Sequence, residues 1–270
     1  MMRYITEPLE YGFFVRALVA SLLVMLLGAL AGPSVHARRQ VYLGQGVSQS
    51  MLLGVAGASL AGMPGVFAAA AAAALASWLV LVLEKKLETD VAIATVGGTF
   101  LSLGVTVLSV RRDRAVNVSN LLFGNVLGVT WSDVLVLAVV VITTGSVFVV
   151  TARSLALLGV SREVARAHGV RVRWLEASQT LAVAFAVASF VQVAGTLLAI
   201  CAIVLPTAIA QRQARTLGGV HAIAALSGCG CALAGLYVSY WTDVPSGPAI
   251  TLLATLLLIA VTLTTTSPDR

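Results

Sequence analysis

Apolar residues run through this chain in stretches near the ~20-residue length that a helix needs to cross a bilayer, each closed by a short polar, glycine or proline turn. The stretches fall at about Tyr11–Gly32, Val41–Met63, the alanine-rich run after Pro64 to near Leu83, and Val91–Val110. Further stretches fall at Asp133–Thr151, Leu175–Phe190, Val193–Ala210, Leu217–Tyr240 and Ala249–Thr266. The pattern predicts an all-α polytopic membrane protein of about eight to nine transmembrane helices, forming one membrane domain over residues 1–270. Eight holds if one of the first three stretches does not cross fully. Gly28 and Gly32 stand at the GxxxG spacing that lets helices approach closely. A sharp turn carrying Gln192 is expected between Phe190 and Val193, and Pro206 removes a backbone donor that either bends its helix or opens a carbonyl to a cavity.

Composition agrees with this class. The chain is 59% hydrophobic and 10% charged, against roughly 25% charged in a soluble domain. Mean hydropathy is +0.99 and the isoelectric point about 9.7. The net charge of +6 has no continuous basic patch behind it, so no nucleic acid partner is expected. The arginines sit between apolar runs, where they act as topology signals and contact lipid headgroups. Glu7 and Glu10 spoil the basic lead of a cleaved signal peptide. Cys201, Cys229 and Cys231 lie inside apolar stretches and read as small buried hydrophobes.

The densest charge is the island Arg153–Trp174, where five arginines (Arg153, Arg162, Arg166, Arg171, Arg173) meet one acid, Glu163. Within it SREVARAHGV predicts a short helix: Ser161 caps it, Glu163 suits the positive end of its dipole, and Gly169 closes it. Arg162 and Arg166 share one face. Such a helix suits docking onto a soluble partner, and equally suits a solvated loop that obeys the positive-inside rule. A cytoplasmic island puts His36–Arg39 inside by strict alternation, and leaves Arg111, Arg112 and Arg114 outside, against that rule.

Catalytic signatures are missing. Lys85 and Lys86 are the only lysines and neither completes a phosphate-binding GxxxxGK[ST] loop, so the chain is not expected to hydrolyse nucleotide itself. There is no HExxH or GxSxG, and no cofactor is expected. Amides and hydroxyls in the spans remain. Gln45 and Gln49, four apart with Ser48 beside them, share a face of the second span and either line a substrate path or bridge helices. Gln192, Thr196, Thr207 and Gln211 bracket GTLLAICAIVLP, and Gln179 reads as a helix-bridging amide. A secondary transporter would need an intramembrane coupling group, usually a carboxylate, whereas Glu84, Glu88, Asp90, Asp133 and Asp243 cluster at turns and span ends.

Taken in order, HARRQVYLGQGVSQSMLLGV, TDVAIATVGGTFLSLGV, LLFGNVLGVTWSDVL, SREVARAHGV, VQVAGTLLAICAIVLPTAIAQ and LYVSYWTDVPSGPAI resemble the permease subunits of metal-ion ABC importers, the ABC-3 family of zinc, manganese and iron type. The resemblance covers nearly the whole chain. It implies a type II importer-like permease in the cell membrane, a second permease subunit in a homodimer, a cytoplasmic ATP-binding subunit and an extracellular substrate-binding protein. Ser161–Gly169 would be the element that couples to the ATPase, through Ser161, Arg162, Glu163, Arg166 and Gly169. Gln45, Ser48, Gln49, Gln192, Thr196 and Thr207 would lie along the path. Where the family shows an acid and a histidine four residues apart, this chain has Gln45 and Gln49. Amides supply neither the charge nor the affinity of carboxylate and imidazole for a dication, so they are expected to line the path without forming a tight metal site, or the cargo is not a metal ion.

Overall fold

The computed structural model describes residues 7–37, 40, 42–61, 65–110, 128–214 and 216–264. The described residues form nine α-helices, preceded by a 3₁₀ turn at Glu7–Glu10. These are α1 (Gly12–Ala37), α2 (Leu43–Ala61), α3 (Gly65–Leu83), α4 (Thr89–Val110) and α5 (Trp131–Val160). They continue with α6 (Arg162–Ala167), α7 (Val172–Gln213), α8 (Leu217–Thr242) and α9 (Ser246–Thr264). Among the described residues, every apolar stretch read from the sequence is helical. Among the described residues six segments are long and apolar enough to cross a membrane: α1, α4, α5, Val172–Val191 of α7, α8 and α9. Ala68–Leu83 and Leu198–Gln213 are shorter apolar helices.

Two boundaries differ from expectation. α5 does not stop at Thr151 but runs on to Val160, carrying the exposed Arg153 within it. A long basic side chain reaches water from a helix end, so it need not end the helix. The break in α7 sits at Gly195 (φ 77°, ψ 168°) rather than at Gln192, and Pro206 is carried within the helix. That φ is one L side chains avoid and glycine accepts, which decides where the chain turns. The arginines at 38 and 39, at 111, 112 and 114, and at 215 lie outside the described residues, as do the side chains of Arg162, Gln192 and Thr196.

The chain gathers into two compact units. The first holds Met1–Pro33, Val118–Ile142 and Ser189–Arg270; the second holds Ser34–Asn117 and Thr143–Ala188. In the first, α1 and the later part of α7 meet with almost no side chain between them. A Cβ on Gly28 would run into the Ala202 carbonyl, and one on Gly32 into the Thr207 hydroxyl and the Ile203 carbonyl. The GxxxG spacing is thus used as expected, for close approach.

Proline chemistry explains the third member of this junction. Pro33 lacks the N–H that would bond the carbonyl four residues back, that of Ala29. His221, at the start of α8, donates Nδ1–H to that carbonyl at 3.0 Å. Pro206 likewise leaves the Ala202 carbonyl without its helical donor, and that is the oxygen seated against Gly28. The Pro206 ring faces Gly228, where a Cβ would come within 3.2 Å of it, and Ala29, Ala210 and Ala224 are buried together.

In the second unit α2 packs on α3 and α4. Glycines again set the spacing: Gly54 lies against the Ala68 carbonyl, and Gly104 against the backbone of Leu52 and Leu53. The buried Gln40 donates Nε2–H to Glu84 Oε1 at 2.8 Å, tying the start of α2 to the end of α3. This bond holds the start of α2 beside the end of α3, as a two-helix hairpin requires. The large apolar residues left exposed, such as Ile142, Val149 and Val150 on α5, suit hydrocarbon rather than water.

Candidate functional site: the amide face of α2 and the capped helix α6

α2 owes its polar character to Gln45, Ser48 and Gln49. Gln45 is exposed, Gln49 half-buried and Ser48 buried. The Ser48 hydroxyl donates to the Gln45 carbonyl at 2.8 Å, so it is engaged with its own helix. Gln49 reaches α4 at a glycine: a Cβ on Gly97 would stand 2.7 Å from Gln49 Oε1 and 2.9 Å from Gly46 Cα. Gly97 therefore makes the room that the Gln49 amide occupies. Nothing in the spacing of the sequence marked this residue.

Thr207 belongs to the α1–α7 seam. It is fully buried, and its hydroxyl lies against Gly32 with no hydrogen-bond partner among the described residues. Gln192 and Thr196 are on the helical backbone either side of the Gly195 break. Among the described residues no three of His, Cys, Asp and Glu gather into a metal-binding group. Gln45 and Gln49 are neutral carbonyl donors, and a divalent ion held by them alone would keep its full charge in the membrane.

The second candidate is α6, and its sequence dictates both of its ends. Ser161 is extended (φ −165°, ψ 155°) and its Oγ accepts from Val164 N–H at 3.0 Å. Glu163 sits in the first turn. At the other end Gly169 takes φ 78°; its N–H bonds Arg166 O at 2.9 Å while Val170 N–H bonds Ala165 O at 3.0 Å. That pair of bonds is the Schellman closure, which needs the left-handed residue glycine supplies. His168 Nδ1 adds a contact to Val164 O at 2.9 Å. A six-residue helix has too few internal bonds to persist by itself, so caps at both ends fix it as a rigid piece. Ala165 is fully buried, while Glu163, Arg166, Ala167, His168 and Gly169 are exposed. The helix is anchored by one small residue and presents a mixed-charge face outward.

Two side chains that matter to these elements were not singled out from the sequence as joining distant parts: Gln40, whose partner is 44 positions away, and His221, whose partner is 192 away. Only the proline at position 33, which must orphan a carbonyl, hinted at the latter.

Comparison with known proteins bears on the whole assembly of helices. The chain is similar to the manganese transport system membrane protein MntC of Listeria innocua, 28% identical over 259 residues, covering 95% of this chain and 92% of that protein. It is also similar to the high-affinity zinc uptake system membrane protein ZnuB of Haemophilus influenzae, 27% identical over 245 residues, covering 90% and 94%. In structure it matches a chain of PsaBC from Streptococcus pneumoniae, solved in complex with Fab, with a TM-score of 0.85 at 21% identity, covering 96% of this chain and 94% of that one. Residues 10–265 match the ABC 3 transport family, and the chain is a member of that family, a multi-pass membrane permease.

Proposed function

We propose that this chain is the membrane-embedded half of a binding-protein-dependent importer for divalent transition metal ions, driven by a separate ATPase. Two copies would form the pathway. A cytoplasmic ATP-binding subunit would dock on the exposed face of α6, and an extracellular binding protein would deliver the cargo. The observation that carries this reading is α6 itself: a short helix capped at both ends, with Glu163 and Arg166 outward, in a family of transport proteins. Closure of the ATPases would push on α6 and pass into the helices on either side, α5 and α7. The manganese and zinc systems of MntC and ZnuB support the choice of cargo.

Gln45 and Gln49 line the path in this reading, as neutral contacts past which an ion moves rather than as a tight site. The same two amides favour a second reading, in which a permease of this fold carries a cargo without a bare double charge. Co-purification tests the partner. The wild-type chain should bring down an ATPase, and changing Arg162, Glu163 and Arg166 together to alanine should release it; retention would sink α6 as the dock. Elemental analysis of metal-starved cells tests the cargo. Restoring the chain to a deletion strain should raise manganese, zinc or iron, and the Gln45→Ala, Gln49→Ala pair should alter that uptake. No change in any metal while the ATPase still co-purifies would favour the second reading.

A further inference from the structure

α6 hangs between two long helices, and a buried polar contact joins them. Thr151 lies on α5 and Gln179 on α7, about ten residues before Ser161 and after Gly169 respectively, or roughly 15 Å along a helix axis. All these residues fall in the same unit. Gln179 is 1% exposed, and its Nε2–H donates to Thr151 Oγ1 at 2.6 Å. Thr151 Oγ1 in turn donates to Val147 O at 2.6 Å, so the chain of bonds runs from the α7 amide through the hydroxyl into the α5 backbone.

The Gln179 carbonyl, Oε1, is buried with no partner among the described residues. An unpaired buried carbonyl is destabilising, and an apolar residue of equal volume would avoid that cost. Stability alone therefore does not explain an amide at this position. What the amide supplies is one directional bond between the two helices that carry α6.

We propose that Gln179 and Thr151 form a cross-brace that makes α5 and α7 move as one body when α6 is pushed. They are positioning residues for ATP-driven transport. The inference rests on the docking role given to α6 above. Without the brace the two helices would yield separately, and an ATPase pair could close on α6 without rearranging the membrane segments. Hydrolysis would then run free of transport.

The experiment uses full-length permease co-purified with its ATPase and reconstituted in lipid vesicles, with ATP hydrolysis as the readout. Thr151→Val removes the hydroxyl while keeping the shape, and Gln179→Met removes the amide while keeping the length. Both should retain the ATPase at wild-type stoichiometry and raise basal hydrolysis by about five-fold, the low end of ordinary coupling energies. Thr151→Ser, which keeps the hydroxyl, should stay at the wild-type rate. A lowered melting temperature with hydrolysis unchanged or decreased in both variants would overturn the brace and leave a structural bond only. The alanine triple at Arg162, Glu163 and Arg166, run alongside, separates the two readings. If the triple retains the ATPase, docking on α6 falls and the brace with it; if the triple releases it while the brace variants hydrolyse at the wild-type rate, the brace alone falls.

Discussion

Both units bring helices together over glycine, but they put different things against it. In the α1–α7 seam Gly28 faces the Ala202 carbonyl, and Gly32 faces the Ile203 carbonyl beside the Thr207 hydroxyl; the carbonyls are backbone and cannot step aside. In the α2–α4 seam Gly97 faces the end of the Gln49 side chain as well as the Cα of Gly46. The first contact is a joint whose geometry the backbone fixes. The second places a polar amide that can swing. A fixed joint within one unit and an adaptable polar one within the other suit a protein in which some helices hold their positions while others can adjust.

Breaking the rigid joint should have the largest effect. Gly28→Val or Gly32→Val forces a branched side chain into carbonyl oxygen, beyond the ordinary overpacking cost of about 1–3 kcal/mol, so little folded protein should survive in detergent. Gly230→Ala, where an added Cβ meets nothing within 4 Å, should elute and melt as the wild type does. A well-folded Gly28→Val protein would show that α1 and α7 can separate after all.

His221 should come next. Removing it leaves the Ala29 carbonyl with neither the side-chain donor nor the Pro33 amide it never had, a loss of about 1–3 kcal/mol for a buried acceptor. Pro33→Ala returns an N–H to the helix. The melting temperature should therefore fall less when His221→Ala is made in the Pro33→Ala background than in the wild type. Equal falls in both backgrounds would mean that the imidazole matters for something other than this carbonyl.

These residues also mark how far the sequence could be read. The apolar stretches, the GxxxG spacing of Gly28 and Gly32 and both caps of α6 were legible because each depends on neighbours within a few positions. The α7 break was expected at Gln192, where an amide interrupts an apolar run, but polarity does not turn a helix; the left-handed φ at Gly195 does. Gln40 and His221 find their partners 44 and 192 residues away, and no local pattern announces such pairs. Of the candidate site, the sharing of a face by Gln45 and Gln49 was readable from spacing, while the pocket that Gly97 makes for Gln49 was not.

At the adaptable joint the expected effect is smaller. Gly97→Ala should cost about 1 kcal/mol, the low end of overpacking, because the Gln49 amide can withdraw while Gly46 gives only slightly. Shortening the amide tests this directly. In a Gln49→Ala background the melting penalty of Gly97→Ala should shrink by half or more. An unchanged penalty would assign the clash to the Gly46 backbone and make the two seams alike.

The smallest global effect should come from α6, and it should be visible only locally. Ser161→Ala removes an N-cap worth about 1 kcal/mol, and Gly169→Ala puts a Cβ into a left-handed conformation at about 1–2 kcal/mol. α6 holds few residues and, among its described side chains, buries only Ala165, so the bilayer-spanning helices should not register the change. Melting temperature should stay put while amide exchange over residues 162–170 accelerates by about the same free energy, roughly five- to thirty-fold. Faster exchange confined to this segment would establish α6 as a separate rigid piece whose caps hold it in shape for a partner. Exchange that spreads into the flanking parts of α5 and α7 would instead make the loop and its two legs one cooperative body, with the caps as part of its core.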